Sequence, residues 1–152
     1  MPSFPRTTAA LLALTIAGGA GATAVPHSLR QAVHDGAALF AGGRFGSTRT
    51  YVPLNGFDRH ALTCQACHSH GGIGPGRTPG GLALPSLQGA AAGYPKLRGG
   101  RVVTLEQQIA HCIAGGLGGQ PPRAGSADMT DLVAYLSALS RGRAFATQLP
   151  AP

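Results

Sequence analysis

The sequence has no tryptophan, and charged side chains make up only 11% of its 152 residues. Aromatic residues make up 5%, whereas the chain has 24 glycines and 12 prolines. Such a composition is unusual for a single domain that must bury a core made of side chains alone. We therefore expect a large apolar cofactor to supply part of the core, with a loop-rich chain wrapped around it.

Acidic residues are also scarce: five of them stand against 12 basic residues, which gives a formal net charge of +7. Lys96 is the only lysine, and the arginines are scattered from Arg30 to Arg143. No basic patch interleaved with aromatic residues is present, which argues against a nucleic-acid partner. The charge instead favours an acidic protein partner or a small anion.

No hydrophobic run of the sequence is long enough to span a bilayer. Residues 1–24 carry one positive charge at Arg6, an apolar run over 9–17, and small residues that fit cleavage after residue 22 or 24. They predict a Sec-type signal peptide and a periplasmic protein; the alternative is an uncleaved membrane anchor. We expect one folded domain over 25–142 and a flexible tail over 143–152.

Only three cysteines occur, and two of them lie in the run Cys64-Gln65-Ala66-Cys67-His68. A Cys-x-x-Cys-His run behind a secretory leader is typical of covalent c-type haem attachment. Cys64 and Cys67 would form two thioether bonds and His68 would be the proximal iron ligand. One motif predicts one haem c. There are two alternatives to haem attachment. One is a zinc site, which would need the third cysteine, Cys112, and a histidine to converge with the pair. The other is a dithiol redox site.

Three helices are predicted from periodicity and capping residues: one from Ser28 to Ala41, one beginning after Thr104, and one from Ser126 through Leu139. The glycine- and proline-rich stretch over 71–100 predicts a tight irregular wrap around the cofactor. Gly115 is expected to end the second helix. The predicted fold class is mainly α, with three to four helices around one covalent haem and long loops.

Methionine is nearly absent, which leaves few candidate residues for the sixth ligand of the haem iron. The only methionine after Met1 is Met129, in the first turn of the last helix, where a core role competes with iron ligation. Cys112 falls on the apolar helix face with Ile109, so we expect it to point inward and to be the distal ligand. A buried inert thiol or an intermolecular disulfide are the alternatives for Cys112. Five histidines remain as further possible ligands: His27, His34, His60, His70 and His111.

Parts of the sequence resemble known cytochromes. Gly36 and Phe40 resemble the pair by which the first helix of many cytochromes c meets the last, although any amphipathic helix could show this pair. The run Asp-Leu-Val-Ala-Tyr-Leu over 131–136 is similar to the closing helix of class I cytochromes c.

A more specific resemblance covers residues 62–142. Its motifs follow the order seen in the first haem domain of thiosulfate dehydrogenases. In chain order they are the haem motif, Leu87-Gln88-Gly89, Tyr94-Pro95-Lys96-Leu97-Arg98, Val103-Thr104-Leu105-Glu106, Ile109 and Cys112. They resemble more loosely the A subunit of the thiosulfate-oxidising Sox system. The resemblance implies that Cys112 is the distal haem ligand at an active site.

The chain departs from those families at three positions. In those families an arginine and an asparagine follow the cysteine; at these two positions this chain has Gly115 and Gly118. A further arginine of the families is replaced here by Gln108. The enzymes also carry a second haem. We therefore expect a periplasmic monohaem cytochrome that carries single electrons, within sulfur-compound oxidation or a respiratory chain.

Two alternative functions remain. One is a thiosulfate dehydrogenase-like oxidase, or its haem subunit, with thiosulfate beside Cys112 and with Arg98 and Arg101 as anion-binding candidates. The other is a haem-based sensor with an exchangeable sixth ligand. The expected partners are an acidic redox protein, a second haem-bearing subunit and thiosulfate.

Overall fold

Four α-helices and three short hairpins make up the computed structural model, which describes residues 28–51 and 60–141. The predicted leader (1–24), the predicted tail (143–152) and His27 lie outside the described residues, as does the side chain of His60.

The helices are α1 (Leu29–Gly42), α2 (Cys64–Cys67), α3 (Leu105–His111) and α4 (Ala127–Leu139). A π-helical turn, Cys112–Leu117, continues directly from α3. The strands pair in three antiparallel hairpins: β1 (Thr50–Tyr51) with β2 (His60–Ala61), β3 (Gly76–Arg77) with β4 (Ala83–Leu84), and β5 (Lys96–Arg98) with β6 (Arg101–Val103). Short 3-10 helices lie at His70–Gly72 and Ala90–Gly93.

Side-chain caps fix the starts of the three longer helices as predicted. Ser28 Oγ accepts the Gln31 amide at 3.1 Å, and Ser126 Oγ accepts the Met129 amide at 3.4 Å. Thr104 begins α3 with a capping box, since its Oγ1 accepts the Gln107 amide and its own amide donates to Gln107 Oε1. These caps satisfy amides that a helix start otherwise leaves unpaired.

The central contact of the fold is the crossing of α1 over α4, where Gly36 allows the two helices to touch. A Cβ at Gly36 would overlap the Asp131 carbonyl oxygen and lie 2.8 Å from the Tyr135 Cβ. One turn further along α1, the Phe40 ring packs against the Tyr135 ring with centroids 5.4 Å apart. The expectation that Gly36 and Phe40 join the first helix to the last is confirmed.

Residues from α1, α3 and α4, from the turn after α3 and from the segment just before α2 form the hydrophobic core. The most deeply buried are Ile113, Met129 and Leu132, each 1% exposed. They cluster with five further apolar residues: Phe40, Leu62, Ile109, Leu117 and Leu136. The side chain of Cys64 packs against this cluster, so the haem motif is attached directly to the core.

The prediction that Gly115 ends the second helix is wrong. The helical path continues through the π-helical turn and ends at Gly118, whose φ of 64° lies in the left-handed region that favours glycine. The wider turn buries Ile113 and Leu117, which lie four residues apart, and packing against the core outweighs the low helix propensity of the two glycines between them.

The stretch over 71–100 is largely irregular, as expected, and is held by hydrogen bonds within itself and to α4. The Leu87 amide donates to the Gly72 carbonyl at 2.7 Å, and the Tyr135 hydroxyl of α4 donates to the Gly71 carbonyl at 2.7 Å. Within the described part of the chain, no helix has the length and apolar character needed to cross a membrane.

Candidate haem site

The haem motif folds as one helical turn that is fixed at both ends. The His68 amide donates to the Cys64 carbonyl at 3.0 Å, which closes the turn around the two cysteines. A Cβ at Gly76 would overlap the Cys67 carbonyl oxygen, so the 71–100 segment lies directly on the motif. Both thiols and the imidazole therefore extend from a single short, supported loop.

The imidazole of His68 is held by packing. Its ring lies 6.4 Å from the Phe40 ring, centroid to centroid, at a 46° tilt. Its Nδ1 is buried and has no hydrogen-bond partner among the described residues. Burial lowers the pKa of His68 below its ordinary 6.5, so the ring is neutral at neutral pH, which is the form that ligates metals.

All three cysteine thiols lie within electrostatic range of one another. Burial, as the main cause, and the charge of Cys112 together raise the pKa of Cys64 to about 12. The pKa of Cys67 is raised by the same two causes in the same order. Because such repulsion falls off with distance, the Cys112 sulfur is near enough to the two motif thiols to affect both.

A crevice of about 560 Å³ opens beside the motif, within the size range of cofactor pockets. Its lining includes Cys67, Leu62 and Gly116 of the π-helical turn, together with Arg49, whose Nη1 donates to the Gly116 carbonyl at 3.4 Å. A haem c needs two thiols on one loop, a neutral imidazole and adjacent space, and these residues fit it. Cys64, Cys67 and His68 would hold the group.

The zinc alternative needs Cys64, Cys67, Cys112 and a histidine to converge. Among residues 28–51 and 60–141, no three His, Cys, Asp or Glu side chains are arranged to hold a metal ion. The structure therefore does not bring these four ligands together.

Cys112 is exposed, so the prediction that its side chain points inward is wrong. The residue lies at the junction of α3 and the π-helical turn, where the wider winding places Ile113 in the core instead. Its Sγ accepts a hydrogen bond from Gln108 Nε2 at 3.3 Å. The thiol is thus exposed, with one fixed donor beside it.

The other possible iron ligands lie in different surroundings. Met129 is 1% exposed within the core, which supports its structural role. His34 lies on α1 and bonds Asp35 at 3.0 Å, and His70 is exposed beside Ser69. His111 is exposed and lines a second cavity.

That second cavity, of about 500 Å³, contains both anion-binding candidates. Arg98 and Arg101 are a cross-strand pair in the β5–β6 hairpin. They line the cavity together with Gln107, Gln108 and His111 of α3. Since Gln108 also bonds the Cys112 sulfur, the cationic cavity and the thiol are neighbours.

A family model for the SoxA/TsdA cytochrome c domain matches residues 57–145, more than half of the chain. The chain belongs to this family. It is therefore a haem c-binding, electron-transfer cytochrome of a family related to sulfur oxidation, which confirms the resemblance drawn from its motifs. A comparison with curated proteins finds no match.

Among solved structures, the cytochrome domain is similar to the thiosulfate dehydrogenase TsdBA from Marichromatium purpuratum in its as-isolated form. The TM-score is 0.52 at 23% identity, over 79% of this chain. The likeness supports the cytochrome c fold and confirms the predicted mainly α class. This chain spans only 25% of that protein.

Two residues of the site were not predicted. Gln108 stands where the related families have an arginine. Its position four residues before Cys112, which puts both on one helix face, is the signal that could have identified it. Arg49 precedes the motif by many residues, and only the fold brings it to the crevice.

Proposed function

We propose that this chain is a periplasmic monohaem c-type cytochrome that carries single electrons in sulfur-compound oxidation or a respiratory chain. The observation that supports the proposal most is the placement of Cys64, Cys67 and a neutral, core-packed His68 on one turn beside a crevice. The domain would extend over 25–142, behind a leader over 1–24 and before a tail over 143–152.

When bound, haem c would supply a one-electron ferric/ferrous couple. The chain's own residues would set its properties: Cys64 and Cys67 would anchor it by thioether bonds, and Phe40 would hold the His68 ring in orientation. Cys112 is proposed as the distal ligand, because the family resemblance implies this role and its sulfur is near enough to the other two thiols to raise their pKa values. The alternative, Met129, would have to leave the core.

Thiolate ligation predicts a low midpoint potential, because an anionic ligand stabilises ferric iron more than ferrous iron. Potentiometric titration of the haem-loaded protein, followed by visible absorption, measures it. We expect a potential well below that of cytochromes with methionine ligation. A high, methionine-like potential would overturn the assignment of Cys112.

The net charge of +7 supports docking of an acidic redox protein. The β5–β6 hairpin carries three of the cations, Lys96, Arg98 and Arg101. Because the chain spans a quarter of its structural neighbour, a second haem-bearing subunit is also proposed as a partner.

The alternative function is that of a thiosulfate dehydrogenase-like oxidase or its haem subunit. The cavity between the hairpin and α3 favours it, since its two arginines could bind a dianion. Gln108, which also lines the cavity, donates to the Cys112 sulfur. Joining two thiosulfate ions through a new S–S bond gives tetrathionate and releases two electrons to an acceptor.

Kinetic assays with thiosulfate and an electron acceptor test this alternative. If the cavity is a substrate site, the Arg98→Ala/Arg101→Ala variant should lose about a hundredfold or more in rate, because each of the two charged hydrogen bonds contributes about 1.5 kcal/mol or more. An Arg30→Ala/Arg123→Ala variant makes the same charge change away from the cavity and should keep its rate. Absence of haem reduction and of tetrathionate in the wild type, with a haem-bearing partner added, would rule the alternative out.

A further inference from the structure

The amide of Gln108 is the one fixed polar neighbour of the Cys112 sulfur among the hydrogen bonds of the described residues. Its Nε2 donates to Sγ at 3.3 Å across one helical turn. In the thiosulfate dehydrogenases that the sequence resembles, this position is an arginine, so the contact belongs to this chain's own sequence.

The helix geometry keeps this contact in place. The capping box at Thr104 fixes where α3 begins, and burial of Ile109 fixes the rotation of the helix about its axis. Gln108 and Cys112 are then four residues apart on one face. The neighbouring Gln107 has a different partner, because its side chain accepts the Thr104 amide at 2.9 Å.

We infer that Gln108 is a positioning residue for the distal iron ligand: its N–H group orients the Cys112 sulfur and withdraws electron density from it. This inference rests on the proposed ligation by Cys112. Hydrogen bonds to ligating sulfurs are a known means of tuning reduction potentials. Donation to a thiolate weakens its stabilisation of ferric iron, so Gln108 raises the midpoint potential above that of an unbonded thiolate.

Potentiometry and electron paramagnetic resonance of the haem-loaded protein test the role of Gln108. Gln108→Leu removes the donor, and Gln108→Glu keeps the shape but places a carboxylate beside the sulfur. Both variants should show a lower midpoint potential and shifted g-values of the low-spin ferric signal, with the larger drop in the glutamate variant. Each variant tests the role of Gln108 by itself, so one of them suffices if the other folds poorly.

Gln107→Leu is the matched control, since it removes a glutamine from the adjacent position. It should reduce thermal stability by loss of the cap and leave the potential unchanged. If Gln108→Leu and Gln108→Glu keep the wild-type potential and signal while Cys112→Ala alters them, Gln108 has no positioning role although Cys112 ligates the iron. If Cys112→Ala also keeps the wild-type signal, the proposed ligation fails and the inference fails with it.

Discussion

Replacing both Cys64 and Cys67 with alanine is expected to abolish covalent haem attachment completely. The two sulfurs leave the same helical turn, which is closed by the His68 amide on the Cys64 carbonyl, and they are the only thiols of the motif. Without them only iron ligation, by His68 and Cys112, could hold the haem, and denaturation would release it. Haem staining after denaturing electrophoresis and the intact mass of the protein measure the effect. The wild type should carry the added mass of one haem and the variant none.

Cys112→Ala is the matched control, because it removes the third thiol without touching the motif. It should retain the haem stain and the added mass, even though its visible spectrum changes. A double variant that still stains for haem would show that attachment does not use Cys64 and Cys67.

The second large effect is expected at the crossing of α1 and α4. Gly36→Ala would force a Cβ into the Asp131 backbone and against Tyr135. Atoms of a helix backbone cannot rotate away as a side chain can, so the helices must separate. We expect a loss of about 3 kcal/mol in the free energy of unfolding, at the upper end for overpacked sites. Thermal denaturation followed by circular dichroism should show a melting temperature lower by roughly 15 °C.

Gly42→Ala provides the comparison in the same helix. A Cβ at Gly42 meets nothing within 4 Å, and alanine is a better helix former than glycine by up to about 1 kcal/mol. This variant should be as stable as the wild type or slightly more stable. Equal melting temperatures for the two alanine variants would contradict the close helix crossing.

The helices were predictable because their determinants are local. Ser28, Thr104 and Ser126 each cap the helix that follows, and those bonds depend on residues three positions apart. The π-helical turn was not predictable, because two adjacent glycines normally end a helix. Burial of Ile113 and Leu117 against residues far along the chain decides that winding, and the sequence of the segment alone does not contain this information.

In the haem site, too, the features set by neighbouring residues were predictable, and those set by the fold were not. Cys64, Cys67 and His68 form one motif, so their shared chemistry could be predicted from spacing. The exposure of Cys112 could not, since it follows from the change of winding at its own position. Arg98 and Arg101 were chosen for their charge, and the hairpin that pairs them places both in one cavity beside α3.

We propose that His68 and Cys112 would be the two protein ligands of the iron of a c-type haem. Absorption and electron paramagnetic resonance spectra of the oxidised wild type and of Cys112→Ala test it most directly. We predict a low-spin thiolate signature in the wild type that disappears in the variant. Identical spectra, both with the weak red band of methionine on ferric iron, would contradict the claim and assign the distal position to Met129.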